Sequence, residues 1–291
     1  MGFSARYHAA SLAAVFLALA VGILIGAGLG SDVVSGTAED LEESLKSDLT
    51  EAEEENAALQ TELDRERELS ALLYPVVVAD RLPGREVAIV ALGALPDDVS
   101  ASVEQALEPT GAEVSSIAVV AEPPDTGAII DALAGPRADE LPRGAALDRA
   151  AESAGADLVT GGGDFAAVRE VVLDRFSGSP GDVDAVVLVR QQPEDLAARV
   201  LEDTERLEAG LIEGMRASGA TVVGVERSDD ESSSVDFFDE QGVSSVDSID
   251  LRSGQLALVL ALDGAEGKFG VKPSADRLLP ELVAPATDSA E

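Results

Sequence analysis

The sequence predicts an α/β protein: an N-terminal transmembrane helix and coiled-coil stalk, followed by a doubly wound, mainly parallel α/β domain. Three observations predict it. An uncharged apolar run spans Ala9–Gly30, a Glu-rich stretch without Gly or Pro spans Ala38–Leu73, and short β-branched runs then alternate with helix-forming segments. The predicted organisation is a cytoplasmic stub at 1–8, an anchor at 9–30, a stalk at 38–73, an extracytoplasmic α/β domain at 84–283 and a loose tail at 284–291.

The anchor comes first. Its twenty-two residues at about 1.5 Å each give roughly 33 Å of helix, enough for a bilayer core of about 30 Å. Arg6 precedes it, and Asp32, Glu39 and Asp40 follow it. The positive-inside bias then predicts a cytoplasmic N-terminus and an extracytoplasmic remainder. A cleaved signal has an apolar region of about 7–15 residues, so the longer run here reads as an uncleaved signal anchor. Gly22, Gly26 and Gly30 are spaced by four, which lines one helix face with residues small enough for a second membrane helix to approach closely.

The stalk follows. A heptad register places Leu45, Leu49, Ala52, Asn56, Leu59 and Leu63 along one seam, with polar Asn56 at an a position, where such a residue fixes register and favours two strands. The frame breaks at Glu66 and Ser70 and returns at Leu73. Residues 39–68 carry thirteen acidic and three basic side chains, so pairing is weak at low salt and strengthened by salt or divalent cations. The expectation is a parallel homodimer with contacts at Gly22, Gly26, Gly30 and Asn56; the alternative is a single solvated helical stalk.

A turn near Tyr74–Pro75 and Pro83–Gly84 ends the stalk. EVAIVAL (86–92) reads as a buried strand, a helix starts near Asp97–Asp98 and closes at Gly111, and EVSSIAVV (113–120) is a second strand: a βαβ unit with a right-handed crossover. DAVVLVR (184–190) and ATVVGVE (220–226) repeat the strand type with a helix from about Pro193 to Ser218 between them, and GQLALVLAL (254–262) is a further helix or buried strand. The Gly/Pro/Asp-rich stretches 121–144 and 174–183 and the acidic, serine-rich stretch 227–241 read as surface loops.

Composition narrows the chemistry. The chain has 291 residues, a net charge of −36, no cysteine, one histidine (His8) and three lysines (Lys46, Lys268, Lys272). Disulfides and thiolate sites are excluded, and nucleic acid lacks the basic footprint it needs. Anionic headgroups repel the domain, so membrane association rests on the anchor. A histidine-based triad in the distal domain is impossible. Gly161-x-Gly163-x-x-Ala166, between ADLVT and a helix, resembles a degenerate dinucleotide loop, but Asp182 and Asp184 precede their strand where an acid is required after one. Asp229–Asp230–Glu231 is an acidic cluster of the kind that holds a hard cation, without EF-hand spacing. Copper(I) needs thiolate, thioether or imidazole, and beyond the membrane only Met215 offers one, on a helical stretch that reads as core. No enzyme motif and no cofactor site is identified.

The order of features, with HAASLAAVFLALAVGILIGAGLGSD (8–32) and GQLALVLALDGAEGKFGVKPSADRLLP (254–280), resembles the actinobacterial MctB family of copper transport outer-membrane proteins. The resemblance spans essentially the whole chain and is strongest at its two ends. It implies a membrane protein of the cell envelope linked to copper transport and homeostasis, and it carries no set of site residues; copper enters only through it. A closed outer-membrane barrel needs about eight or more strands of roughly ten residues, which this pattern does not offer. The expected role is therefore an accessory or scaffold that meets envelope partners rather than a pore. The alternative is a structural or interaction module of the envelope without a metal role.

Overall fold

The computed structural model describes residues 5–136, 138–191 and 196–281, the side chains of 5–9 and 28–42 excepted. The chain divides into two compact units, Met1–Glu68 and Leu69–Glu291. In the first, the backbone is helical from Ala5 onward as part of α1 (Ala5–Val78). Its segment Ala10–Ala27 is long and apolar enough to cross a membrane, and Leu45, Leu49, Leu59 and Leu63 are exposed. The predicted stalk is helical throughout. The tail at 284–291 and residues 1–4 of the stub lie outside the described residues.

The second unit is built on a seven-stranded sheet. In chain order its elements are β1 (Glu86–Leu92), α2 (Asp97–Leu107), β2 (Glu113–Val120), α3 (Thr126–Leu133), α4 (Arg143–Thr160), α5 (Phe165–Val171), β3 (Leu173–Gly178) and β4 (Ala185–Arg190), then α6 (Ala198–Ala217), β5 (Thr221–Val225), α7 (Val235–Glu240), β6 (Ser244–Val246), α8 (Arg252–Leu262) and β7 (Lys268–Phe269). The strand order is β3-β2-β1-β4-β5-β6-β7. Every pairing is parallel except β2 with β3. The α/β class and the mainly parallel sheet predicted from the sequence are both present.

The unbroken apolar runs of β1 and β4 are what a parallel sheet covered on both faces requires. Alternate residues of β1 enter opposite cores, as a period of two dictates. Ala88, Val90 and Leu92 pack with Ile129, Leu147, Leu207 and Leu211 of α3, α4 and α6. Val87, Ile89 and Ala91 pack with Val103 and Leu107 of α2, Leu258 and Leu262 of α8, and Tyr74 and Val78 at the end of α1.

Several boundaries differ from the sequence expectation. The helix does not stop at Tyr74–Pro75 but runs through Pro75 to Val78. There Tyr74 is buried and its hydroxyl donates to the Ala106 carbonyl at 2.7 Å, so core packing outweighs the loss of one helical bond at proline. The stretch 121–144 contains α3, whose first turn is capped by the Asp125 carboxylate accepting from Ala128 N and whose Ile129 and Leu133 are buried. The stretch 174–183 contains most of β3, an antiparallel edge strand, and 227–241 contains α7 with Phe238 fully buried. ADLVT is the last turn of α4, closed by Gly161 at φ +62°. The Gly161–Ala166 stretch is thus a helix C-cap with no strand before it, and the dinucleotide reading fails on that ground. The helix expected from Pro193 begins at Ala198, its expected first residues lying in 192–195, outside the described residues. GQLALVLAL is helical, within α8.

Candidate functional site

The crossover helices locate a crevice. From β1 the chain leaves through α2 to β2 on one side; from β4 it leaves through α6 to β5 on the other. The two helices sit in opposite cores. Between β1 and β4 the connections therefore diverge, and open α/β sheets hold ligands at such a switch point, outside the carboxyl ends of the strands.

A cleft of about 430 Å³ lies there, lined by Ala94 after β1, Glu122 after β2, Arg190 and Gln191 at the end of β4, and Asp230, Glu231 and Ser232 after β5. Two larger hollows of about 620 Å³ lie elsewhere, one at the amino ends of β5 and β6 and one over α4, α6 and α7. Their lining cations are spoken for: Arg216 pairs with Glu213, Lys268 with Asp239, and Arg206 with Asp148.

Arg190 is the central group. It is 9% exposed. Its Nε donates to Glu208 Oε2 at 2.9 Å, and its guanidinium lies 4.0 Å from the Phe237 ring centroid, a cation–π distance. Among the described residues its two terminal nitrogens have no hydrogen-bond or ion-pair partner. Glu208 reaches the pair from α6 and is almost fully buried. Burial pushes its carboxyl up to about 7, against the opposing pull of Arg190, with Glu122 and Glu205 adding like-charge repulsion. Desolvation outweighs the ion pair.

Glu122 is also held above the ordinary carboxylate range, first by desolvation and against the opposing charge of Arg190. Its Oε2 lies 2.6 Å from where a β-carbon at residue 93 would stand, and Gly93 has φ +88°. Only glycine meets both conditions without strain.

The wall beyond β5 is tied down. The buried Glu226 carboxylate accepts from Ser233 Oγ at 2.8 Å, Ser234 N at 2.6 Å and Lys272 Nζ at 2.7 Å. Lys272 also donates to the Asp230 carbonyl at 3.1 Å. The fully buried Asp247 carboxylate accepts from Val271 N and Lys272 N at 2.7 and 2.9 Å. The C-terminal block GKFGVKP is thereby fastened to the carboxyl edge of the sheet, against the loop that forms one side of the cleft. Arg227 draws in Asp98 and Asp229, and Asp230 accepts from Arg227 N at 2.9 Å.

The structure places the residues singled out from sequence as follows. Among the described residues nothing lies within 4 Å of a β-carbon built at Gly22 or Gly26; Gly30 lies outside the described side chains. Asn56 is exposed, and its Oδ1 accepts from Gln60 Nε2 at 2.7 Å, one turn away. The acidic cluster 229–231 does not converge on a cation: Asp229 faces Arg227, and no group of three or more metal-binding side chains occurs among the described residues. Met215 is buried in the core. Sequence reasoning missed Arg190, Glu208, Glu122 and Glu226. The available signal was a charged residue closing an otherwise apolar strand, at Arg190 in AVVLVR and at Glu226 after TVVGV.

Comparison with known proteins finds a family match over nearly the whole chain. The family described as "Copper transport outer membrane protein, MctB" matches residues 3–280. The proteins named copper transporter MctB in Mycobacterium bovis and Mycobacterium tuberculosis are 32% identical to it over 108 residues, which is 37% of this chain. That matched segment spans 34%, about a third, of the length of each of these relatives. Matched over nearly its whole length, from the membrane-length helix through the C-terminal block fastened beside the cleft, the chain belongs to the MctB family.

Proposed function

We propose that this is a single-pass protein of the cell envelope that serves copper transport and homeostasis as an accessory or scaffold rather than as the pore. Its N-terminus is cytoplasmic and its α/β domain extracytoplasmic, the anchor being retained. Two things support the copper role: the family to which the chain belongs and the name its mycobacterial relatives carry. The observation that carries the accessory role is the sheet. It is open, mainly parallel and covered by helices on both faces, whereas a conducting barrel is a closed antiparallel wall with lipid on its outer side.

Deletion of the gene in its native host tests the copper role: tolerance falls and intracellular copper changes. Copper flux into liposomes containing the purified full chain tests the division of labour; flux above empty vesicles rejects the accessory reading. A second reading, an envelope interaction module without a metal role, is favoured by one observation. Past the stalk, among the described residues, the thioether of Met215 is the one soft donor and it is buried in the core. Unchanged copper tolerance and content in the deletion strain select that reading.

The protein works as a parallel homodimer, with Gly22, Gly26 and Gly30 forming the membrane contact and Leu45, Leu49, Ala52, Asn56, Leu59 and Leu63 a short coiled coil. Exposure of Leu45, Leu49, Leu59 and Leu63 on a helix outside the membrane-length segment supports this. Molar mass in detergent as a function of salt tests it: the dimer strengthens as salt screens the acidic flanks, and a monomer at all salt concentrations rejects it.

A further inference from the structure

We propose that the cleft at the carboxyl edge of the sheet binds a small zwitterion, a molecule that carries both a carboxylate and an ammonium group. Arg190 supplies the first half of the site. It is buried, fixed through Nε to Glu208 and stacked on Phe237, and its terminal nitrogens are unpartnered among the described residues where its side chain lines the cleft. A guanidinium so oriented presents a planar fork that matches a carboxylate.

The surroundings supply the second half. Glu122, Asp230 and Glu231 line the same cleft, while Glu208 engages Arg190 through its Nε alone. A plain anion would enter a field dominated by carboxylates. A plain cation would leave the buried guanidinium uncovered. A molecule with both charges meets both conditions, and Gln191 and Ser232 line the cleft as neutral polar groups. Phosphate is disfavoured for a separate reason: the adjacent N-terminus of α2, where a phosphate would rest, already carries Asp97 and Asp98 in its first turn. The volume of about 430 Å³ suits a small polar ligand. This site is independent of the copper reading, which rests on the family.

The test is calorimetric titration of the full chain in detergent micelles with two zwitterions, L-alanine for a free amino acid and L-alanyl-L-alanine for a short peptide. Propionate and isopropylamine serve as single-charge analogues. Saturable binding of either zwitterion is expected, with both analogues weaker by roughly tenfold or more, the loss of one charged contact. Arg190→Lys, which keeps a charge beside Glu208 but not the fork, loses at least about tenfold. The Glu122→Gln/Glu231→Gln double variant changes two exposed groups and keeps the fold, so it separates loss of binding from loss of structure. It weakens the zwitterion and leaves propionate unchanged or stronger. Neither zwitterion binding at about 10 mM, or propionate matching the zwitterion, overturns the proposal, as does a double variant that binds like the parent.

Discussion

Two faces of this chain carry glycines four residues apart, and among the described residues only one of them has a neighbour. On α6, a β-carbon at Gly214 would lie 2.0 Å from the Glu152 carbonyl oxygen and one at Gly210 would lie 2.5 Å from Ala151 Cβ; on α4, one at Gly155 would lie 2.1 Å from the Leu211 carbonyl oxygen. Backbone meets backbone there, and the two helices close over one face of the sheet. Gly22 and Gly26 have the same spacing, with nothing described within 4 Å. Glycine spacing thus states only that a face admits a close neighbour. In the domain the chain supplies that neighbour. On the membrane-length segment the proposed dimer would supply it from a second molecule.

The largest effect comes from filling the occupied face. Gly155→Leu combined with Gly214→Leu drives two side chains into carbonyl groups of the partner helix. Each costs about 3 kcal/mol, together a large part of the roughly 5–15 kcal/mol that holds a domain. No cooperative unfolding transition is expected, by circular dichroism, at a temperature where the parent unfolds as one unit. A variant that melts like the parent would show that α4 and α6 separate freely.

Next comes pH, because α6 also carries Glu208. Its carboxyl sits at about 7 in the folded protein, against about 4.3 for a free glutamate. With the folded value raised, the folded state binds the proton more tightly, so the contribution to stability is full below the unfolded value and is lost as pH rises through about 7. Relative to Glu208→Gln, which cannot titrate, the parent loses up to about 3 kcal/mol between pH 4 and pH 8. Denaturant midpoints of both proteins across that range measure it; parallel curves contradict it. The Ala10–Ala27 segment holds no titratable side chain, so a contact through its glycine face has no such dependence of its own.

How much of this was legible beforehand follows from where the determinants sit. The strands were readable because β1, β4 and β5 are nearly unbroken apolar runs, which burial on both faces demands. The elements α3, β3 and α7 were not, since each has at most eight residues and a polar or Gly-rich flank that reads as a loop. The cleft was not readable at all. Residues 94, 122, 190–191 and 230–232 are far apart in sequence, and only the strand order brings their loops together. The membrane glycines drew attention because their apolar context is conspicuous. Gly210 and Gly214 lie in a helix with Glu202, Glu205 and Glu213 beside them and passed unnoticed, although theirs is the face that the fold fills.

A gentler change sharpens the comparison. Gly214→Ala adds one methyl against the Glu152 carbonyl, a strain of about 1–3 kcal/mol. Alanine returns about 1 kcal/mol through its better helix propensity. The net loss is up to about 2 kcal/mol, a fall in unfolding midpoint without a change in the steepness of the transition. A rise in midpoint would mean that the helices give way by a few tenths of an ångström at no cost, and that the close approach is incidental.

The smallest effect on the domain, and the most informative about the membrane, comes from Gly22→Ile with Gly26→Ile. The substituted face meets nothing described in its own chain, so the unfolding midpoint of the α/β domain stays within about 0.5 kcal/mol of the parent. If a second copy packs there, the added side chains hold the two backbones apart and the dimer dissociates at about tenfold higher protein concentration in detergent. Asn56→Ala on the same background then weakens register without further change in the domain. A detergent dimer as tight as the parent's removes the membrane glycines from the interface and leaves the stalk to hold the two copies alone.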